Sequence, residues 1–202
     1  METNNQRKTP TVLVPYDFGP KAKTALQEAI KVADFIKGQI YLLSVLQASN
    51  FFTELCKSEK QQREERRHVE NKLKEVILET RKTYHGNIRY IVEHGSPAEV
   101  ILEQAQIRNA QYIIMGKMSS TVSAFHFIGP LTMHIIASAP CPVITVSENS
   151  IENGRFDNIL LPIDLSKQTL EKINAAISWA KYYKSTVHLV GVVKRGTNLV
   201  SS

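Results

Sequence analysis

Apolar residues along this chain alternate between two spacings. Short unbroken runs such as Val12-Leu-Val14, ending at Pro15, and Ile40-Tyr-Leu-Leu-Ser-Val-Leu46 have the composition of strands covered on both faces. Between them Ala22, Ala25, Leu26, Ala29, Ala33 and Ile36 recur at helical spacing, with Pro20 suited to the first helical position and Gly38 as the stop. A long helix is predicted from about Phe52 to Tyr84. Its apolar stripe of Val69, Leu73, Val76, Ile77 and Tyr84 covers only the second half. Asn87 to Glu93 alternates as a third strand. Ser96-Pro97-Ala98-Glu99 has the form of a capping box with proline at the first helical position. The following helix presents Val100, Ile101, Leu102, Ala105 and Ile107. Tyr112-Ile-Ile-Met115 is a fourth strand ending at Gly116, Leu131 to Ser138 a short helix, and Pro142 to Val146 a fifth strand. Strands alternating with helices predict an α/β three-layer sandwich, a five-stranded parallel sheet with helices on both faces.

The opening of this pattern occurs twice. Thr11-Val-Leu-Val-Pro-Tyr-Asp17 returns as Asn158-Ile-Leu-Leu-Pro-Ile-Asp164, shifted by 147 positions, and the match continues without a gap. Ala29 falls on Ala176, Ala33 on Ala180, Leu42 on Leu189 and Val45 on Val192. A repeat of this length is a duplicated domain and not a short solenoid unit. The expected organisation is a polar tail over 1–10, one complete domain over 11–147, a linker over 148–157 and a partial second copy, strand–helix–strand, over 158–202. The second copy stops at Ser202 before any counterpart of the later strands, as in a fragment of a two-domain protein or a decayed one.

Composition narrows the function classes. No apolar run is long enough to span a membrane, and the first ten residues lack the apolar core of a signal peptide. Neither Cys56 nor Cys141 sits in a CxxC pair, and Cys141 reads as a packed thiol at a strand entry. A reducing cytoplasm fits this usage. The net charge of +6 is spread along the chain and not gathered into the basic stripe that nucleic acid requires, so no nucleic-acid partner is expected. His68, His85, His94, His126, His134 and His188 show no metal-ligand spacing. The run from Lys57 to Arg67 mixes signs and reads as a solvated helix face with i,i+4 pairs.

Ligands of parallel α/β sheets bind beyond the carboxyl ends of the strands. Three loops therefore carry the candidate chemistry: the turn at Asp17, the segment Val45 to Ser49, and the stretch from Gly116 onward. The first of these lacks GxGxxG, and no P-loop occurs. Gly116-Lys-Met-Ser119, nine residues, then Gly129-Pro130-Leu131-Thr132 opens a helix, a layout that brings backbone N–H groups to an anion. Asp17 has two readings: a hydrogen-bond acceptor for an adenine or ribose, or the closure of a turn or helix cap. No nucleophile, base and orienting group can be assembled, so catalysis is not expected.

This arrangement resembles the universal stress protein family over Thr11 to Val146, with a second domain of that kind starting near Asn158. Nucleotide-binding members carry GxxG, nine residues, then glycine followed by serine or threonine, a short helix and a Pro-Val-rich strand. Here Gly116-x-x-Ser119, nine residues, Gly129-Pro130 and Ala139-Pro-Cys-Pro-Val-Ile-Thr-Val146 follow that layout. The resemblance implies a Rossmann-like sheet of the adenine nucleotide alpha hydrolase type. It also implies a cytoplasmic stress-response protein that binds or senses ATP, with magnesium, and works by association. Pro15, Asp17 and Val45 would then flank base and ribose. Met115, Gly116, Met118, Ser119, Gly129, Pro130, Leu131 and Thr132 would surround the phosphates. Domains of the family pair through the last strand, here Pro142, Val143, Ile144, Thr145 and Val146, which implies a homodimer.

Two positions depart from the family pattern. Ser119 replaces the second glycine, which allows positive φ and close approach to a phosphate. Pro130 replaces serine or threonine and brings neither N–H nor hydroxyl. Each lost charge-assisted bond costs roughly 1.5–3 kcal/mol, and Thr132 and Ser120 are the nearest substitutes. The alternative is therefore a nucleotide-free member with a degenerate phosphate loop, acting as a dimerisation and interaction module. Phe51, Phe52, Phe125 and Phe127 flank the expected mouth, and His126 faces it. A half-length second copy leaves apolar surface at Trp179, Tyr182 and Val190 in need of cover.

Overall fold

The computed structural model describes residues 9–47, 58–116, 128–147, 156–163 and 169–191. Among these the chain divides into two compact units, Met1–Ser150 and Ile151–Ser202. The first contains β1 (Thr11–Pro15), α1 (Pro20–Ile36), β2 (Gln39–Leu46), α2 (Glu59–Thr80), β3 (Ile88–His94), α3 (Pro97–Ile107), β4 (Ala110–Gly116), α4 (Pro130–Ser138) and β5 (Val143–Val146). The sheet order is β3-β2-β1-β4-β5, with every pair parallel. From β1 the chain steps outward through β2 to β3, then crosses to β4 and steps the other way to β5. That reversal puts the switch point between β1 and β4.

Alternation along the strands builds two cores. Leu13, Leu43, Ile113 and Met115 pack with Val100, Ile101 and Ala105 of α3 and Ile135 of α4. Val12, Val14, Ile40, Leu42 and Ile114 are buried on the opposite side. There α1 contributes Ala22, Ala25, Ala29 and Val32, and α2 contributes Leu73 and Ile77. Both faces of β1 and β4 are thus dry, which is why these strands read as continuous apolar runs and not as alternating ones.

The helix ends differ from the sequence expectation in three places. Lys37, not Gly38, takes the left-handed cap of α1 (φ 54°, ψ 42°). Gly38 lies against β1: a Cβ there would meet the Pro10 carbonyl oxygen at 2.7 Å. Ser96 makes no side-chain cap, so the Ser96–Glu99 capping box does not form, although Pro97 does open α3. The capping box instead starts α2. Ser58 Oγ accepts from the Gln61 N–H at 3.3 Å, and Gln61 Oε1 accepts from the Ser58 N–H at 2.9 Å. The helix expected from Phe52 is described only from Glu59, and 48–57, with Phe51, Phe52 and Cys56, lie outside the described residues. The mixed-sign face carries an exposed pair, Arg63–Glu59 at 2.7 Å, and Arg66 reaches the partly buried Glu70 at 3.2 Å.

The second unit contains β6 (Asn158–Ile163), α5 (Thr169–Tyr183) and β7 (Thr186–Gly191), with the two strands parallel. It repeats the strand register of β1 and β2 and two backbone bonds around them. The Gln39 N–H donates to the Pro10 oxygen at 2.8 Å, and Thr186 to Asp157 at 2.8 Å. The Gly38 N–H donates to Ala33 at 2.8 Å, and Ser185 to Ala180 at 2.9 Å. Lys184 is left-handed like Lys37, with φ 57°. Burial differs. Leu160 and Leu189 are 68% and 60% exposed, whereas their counterparts Leu13 and Leu42 are fully buried. Tyr182 and Val190 are exposed as expected, but Trp179 is half-buried, its ring stacked on Tyr183 at 5.8 Å. Asp164 lies outside the described residues.

Candidate functional site

The turn after β1 is built by three consecutive side chains. The Tyr16 N–H donates to the Leu43 carbonyl at 2.8 Å, carrying the β1–β2 ladder one residue past Pro15. Phe18 then takes a left-handed backbone (φ 67°). This lets the Gly19 N–H fold back and donate to Asp17 Oδ1 at 2.9 Å. The carboxylate therefore closes a turn, one of its two readings. It is not the cap residue of α1, which is Gly19 and offers no side chain to the helix N–H groups. Phe18 packs edge-on against Tyr16 with centroids 5.4 Å apart, and Lys72 of α2 lies 5.7 Å over its face. Burial, and secondarily the charge of Asp17, pushes the Tyr16 phenol above its ordinary pKa. The exposed Asp17 stays at the mouth with one oxygen spare.

The same turn forms one wall of a cleft of about 210 Å³ at the carboxyl ends of β1, β2 and β4. Pro15, Asp17, Val45, Met115, Gly116 and Leu131 all line it. Gln47, within the expected Val45 to Ser49 segment, lines it too, as do Tyr16, Lys21, Ser44, Pro97 and Ile101, which the sequence did not single out. Lys21 was legible in principle, because Pro20 at the first helical position places the next residue on the first turn of α1, beside the strand ends. Asp17 and Lys21 are the two charged side chains among the described lining residues. Gly116 has a packing role here: a Cβ on it would lie 2.6 Å from Lys21 Cβ and 2.7 Å from the Lys21 carbonyl oxygen. The cleft sits at the β1/β4 switch point, where open α/β sheets hold ligands.

The head of α4 is arranged differently. Gly129 is its cap residue, in extended conformation and without a side-chain bond, and Pro130 is its first residue. Neither these two nor Thr132 lines the cleft among the described residues. Thr132 is fully buried, and its hydroxyl has no partner among the described residues, so it does not offer an anion the donor that Pro130 lacks. Met118, Ser119, Ser120, Phe125, His126 and Phe127 lie outside the described residues. The cleft thus offers apolar walls and one carboxylate, and Gly129, Pro130 and Thr132 bring no side-chain donor to it.

β5 is the sheet edge beyond β4. It spans Val143–Val146, one residue shorter than expected. Pro142 precedes it, and its carbonyl accepts the Ile113 N–H at 3.1 Å. Burial pushes the Cys141 thiol above its ordinary pKa, and the side chain packs against the core. No cluster of three His, Cys, Asp or Glu able to hold a metal occurs among the described residues.

Comparison with known proteins agrees with this architecture. The universal stress protein family profile matches residues 8–147. Universal stress protein MJ0531 of Methanocaldococcus jannaschii is 24% identical over 156 residues, which are 72% of this chain and 86% of that protein. Among solved structures, UspA from Lactobacillus plantarum superposes with a TM-score of 0.58 at 24% identity, covering 70% of this chain and 99% of that one. A universal stress protein from Archaeoglobus fulgidus superposes with a TM-score of 0.69 at 18% identity, covering 93% of this chain and 68% of that one, so the likeness extends past the first unit. With its profile match spanning more than half of its length and its sheet order of 3-2-1-4-5, the chain belongs to the universal stress protein family.

Proposed function

We propose that this chain is a cytoplasmic stress-response protein that binds an adenine nucleotide in the β1/β4 cleft and acts through association, not catalysis. One observation carries the proposal. Six residues assigned to nucleotide contact by resemblance, namely Pro15, Asp17, Val45, Met115, Gly116 and Leu131, converge from four elements and a turn on one cleft. Pro15, Val45 and Met115 supply apolar surface for a base, and Asp17 supplies an acceptor for an exocyclic amine or a ribose hydroxyl. ATP with magnesium is the nucleotide that the family resemblance implies. Association through the β5 edge accompanies this function: β5 pairs with β4 on one side, and its other side, at the end of the sheet, presents backbone groups to a second copy.

Calorimetric titration of the purified chain with adenosine and with ATP–magnesium tests the proposal, with Asp17→Ala alongside. Binding at about micromolar to tens of micromolar that weakens at least about tenfold in a folded Asp17→Ala variant supports it. No heat from either ligand up to millimolar concentration sinks it. A second reading then stands, favoured by Pro130 at the first position of α4: a nucleotide-free interaction module whose working surface is the β5 edge.

A further inference from the structure

We infer that the cleft selects an adenine nucleotide bearing one phosphate over the triphosphate, and that Lys21 is the side chain that receives this phosphate. The inference rests on the cleft being a nucleotide site and goes beyond it by naming the ligand class and the residue that sets it. Two observations converge. The first is the head of α4. Pro130 has no N–H, and the buried Thr132 hydroxyl does not line the cleft, so among the described residues this helix end lacks two donors that an extended polyphosphate could use.

The second is the cation. Lys21 lines the cleft and forms no ion pair among the described residues. Its backbone is pressed against Gly116, so its Cβ is fixed beside the end of β4. One ammonium at that place complements one phosphate. Asp17, the other charged lining residue, lies on the turn after β1 and opposes additional negative charge.

The full chain is titrated with adenosine, AMP and ATP–magnesium, as wild type, Lys21→Met and Lys21→Arg. Wild type is expected to bind AMP about tenfold or more tighter than ATP, and tighter than adenosine. Lys21→Met, which keeps the stem against Gly116, is expected to lower AMP affinity about tenfold, to near that of adenosine, and to lower adenosine affinity far less. Lys21→Arg restores most of the AMP affinity, and the AMP advantage over adenosine shrinks with added salt. ATP binding as tightly as AMP overturns the selectivity. Equal losses for AMP and adenosine in Lys21→Met, or no loss for either, overturn the role of Lys21. If adenosine binds and AMP gains nothing over it, the nucleotide site stands and the inference fails. If none of the three binds, the site itself fails and the inference falls with it.

Discussion

The backbone of Lys21 lies so close to Gly116 that a single methyl group on the glycine would come within 2.7 Å of the lysine carbonyl oxygen. The first turn of α1 thereby rests directly on the end of β4, and the cleft wall is set by a contact between two backbones. The obstacle is main chain and not the tip of a flexible side chain, so it does not swing aside. Gly116→Ala is therefore expected to destabilise the first unit by about 1–3 kcal/mol, seen as a lower urea midpoint. It should also weaken AMP binding, because α1 and Lys21 are displaced from the cleft.

Two serines that look alike in the sequence are expected to behave differently. Ser58 caps α2 reciprocally with Gln61, whereas Ser96 makes no side-chain cap at α3. Ser58→Ala should cost about 0.5–2 kcal/mol and speed hydrogen exchange in the first turn of α2. Ser96→Ala should leave both nearly unchanged. Equal losses from the two substitutions, measured by denaturation, would contradict this assignment of the caps.

Three buried phenols are expected to cost stability at alkaline pH. Tyr16, Tyr84 and Tyr112 are all pushed above the ordinary tyrosine pKa of about 10, in each case mainly by burial. For Tyr16 and Tyr84 the charges of Asp17 and Asp34 add to the effect. The folded state thus holds these protons more tightly than the unfolded chain does. The stabilisation is complete below about pH 10 and declines as pH rises through the folded-state values. Denaturation midpoints measured across alkaline pH should fall in that window, and Tyr84→Phe should make the fall shallower.

Most of the fold was legible because strand burial leaves a simple mark. Val12 to Pro15 and Ile40 to Leu46 are buried on both faces and read as unbroken apolar runs, and Pro97 marked the start of α3 from sequence alone. Local caps were less legible, since they depend on which side chain reaches a free N–H. Ser96-Pro-Ala-Glu99 has the right letters and no bond, while Ser58-Glu-Lys-Gln61 has both bonds and was hidden inside a longer expected helix. The stop at Gly38 was read one residue late for a similar reason. Glycine is the usual left-handed residue, but here Lys37 takes that conformation and Gly38 is needed for close approach to Pro10. At the cleft, the residues at the strand ends could be foreseen from the position of ligands in such sheets. The burial of Thr132 could not, because it depends on the packing of α4 against the sheet.

The most direct measurement is the mapping of amide resonances in isotope-labelled full-length chain as AMP is added. The central claim is that a nucleotide occupies the cleft at the carboxyl ends of β1, β2 and β4. Saturable shifts are expected at Tyr16, Asp17, Lys21, Val45 and Gly116, with little change along Val143–Val146. Shifts confined to the β5 edge, or none at millimolar AMP, would contradict it.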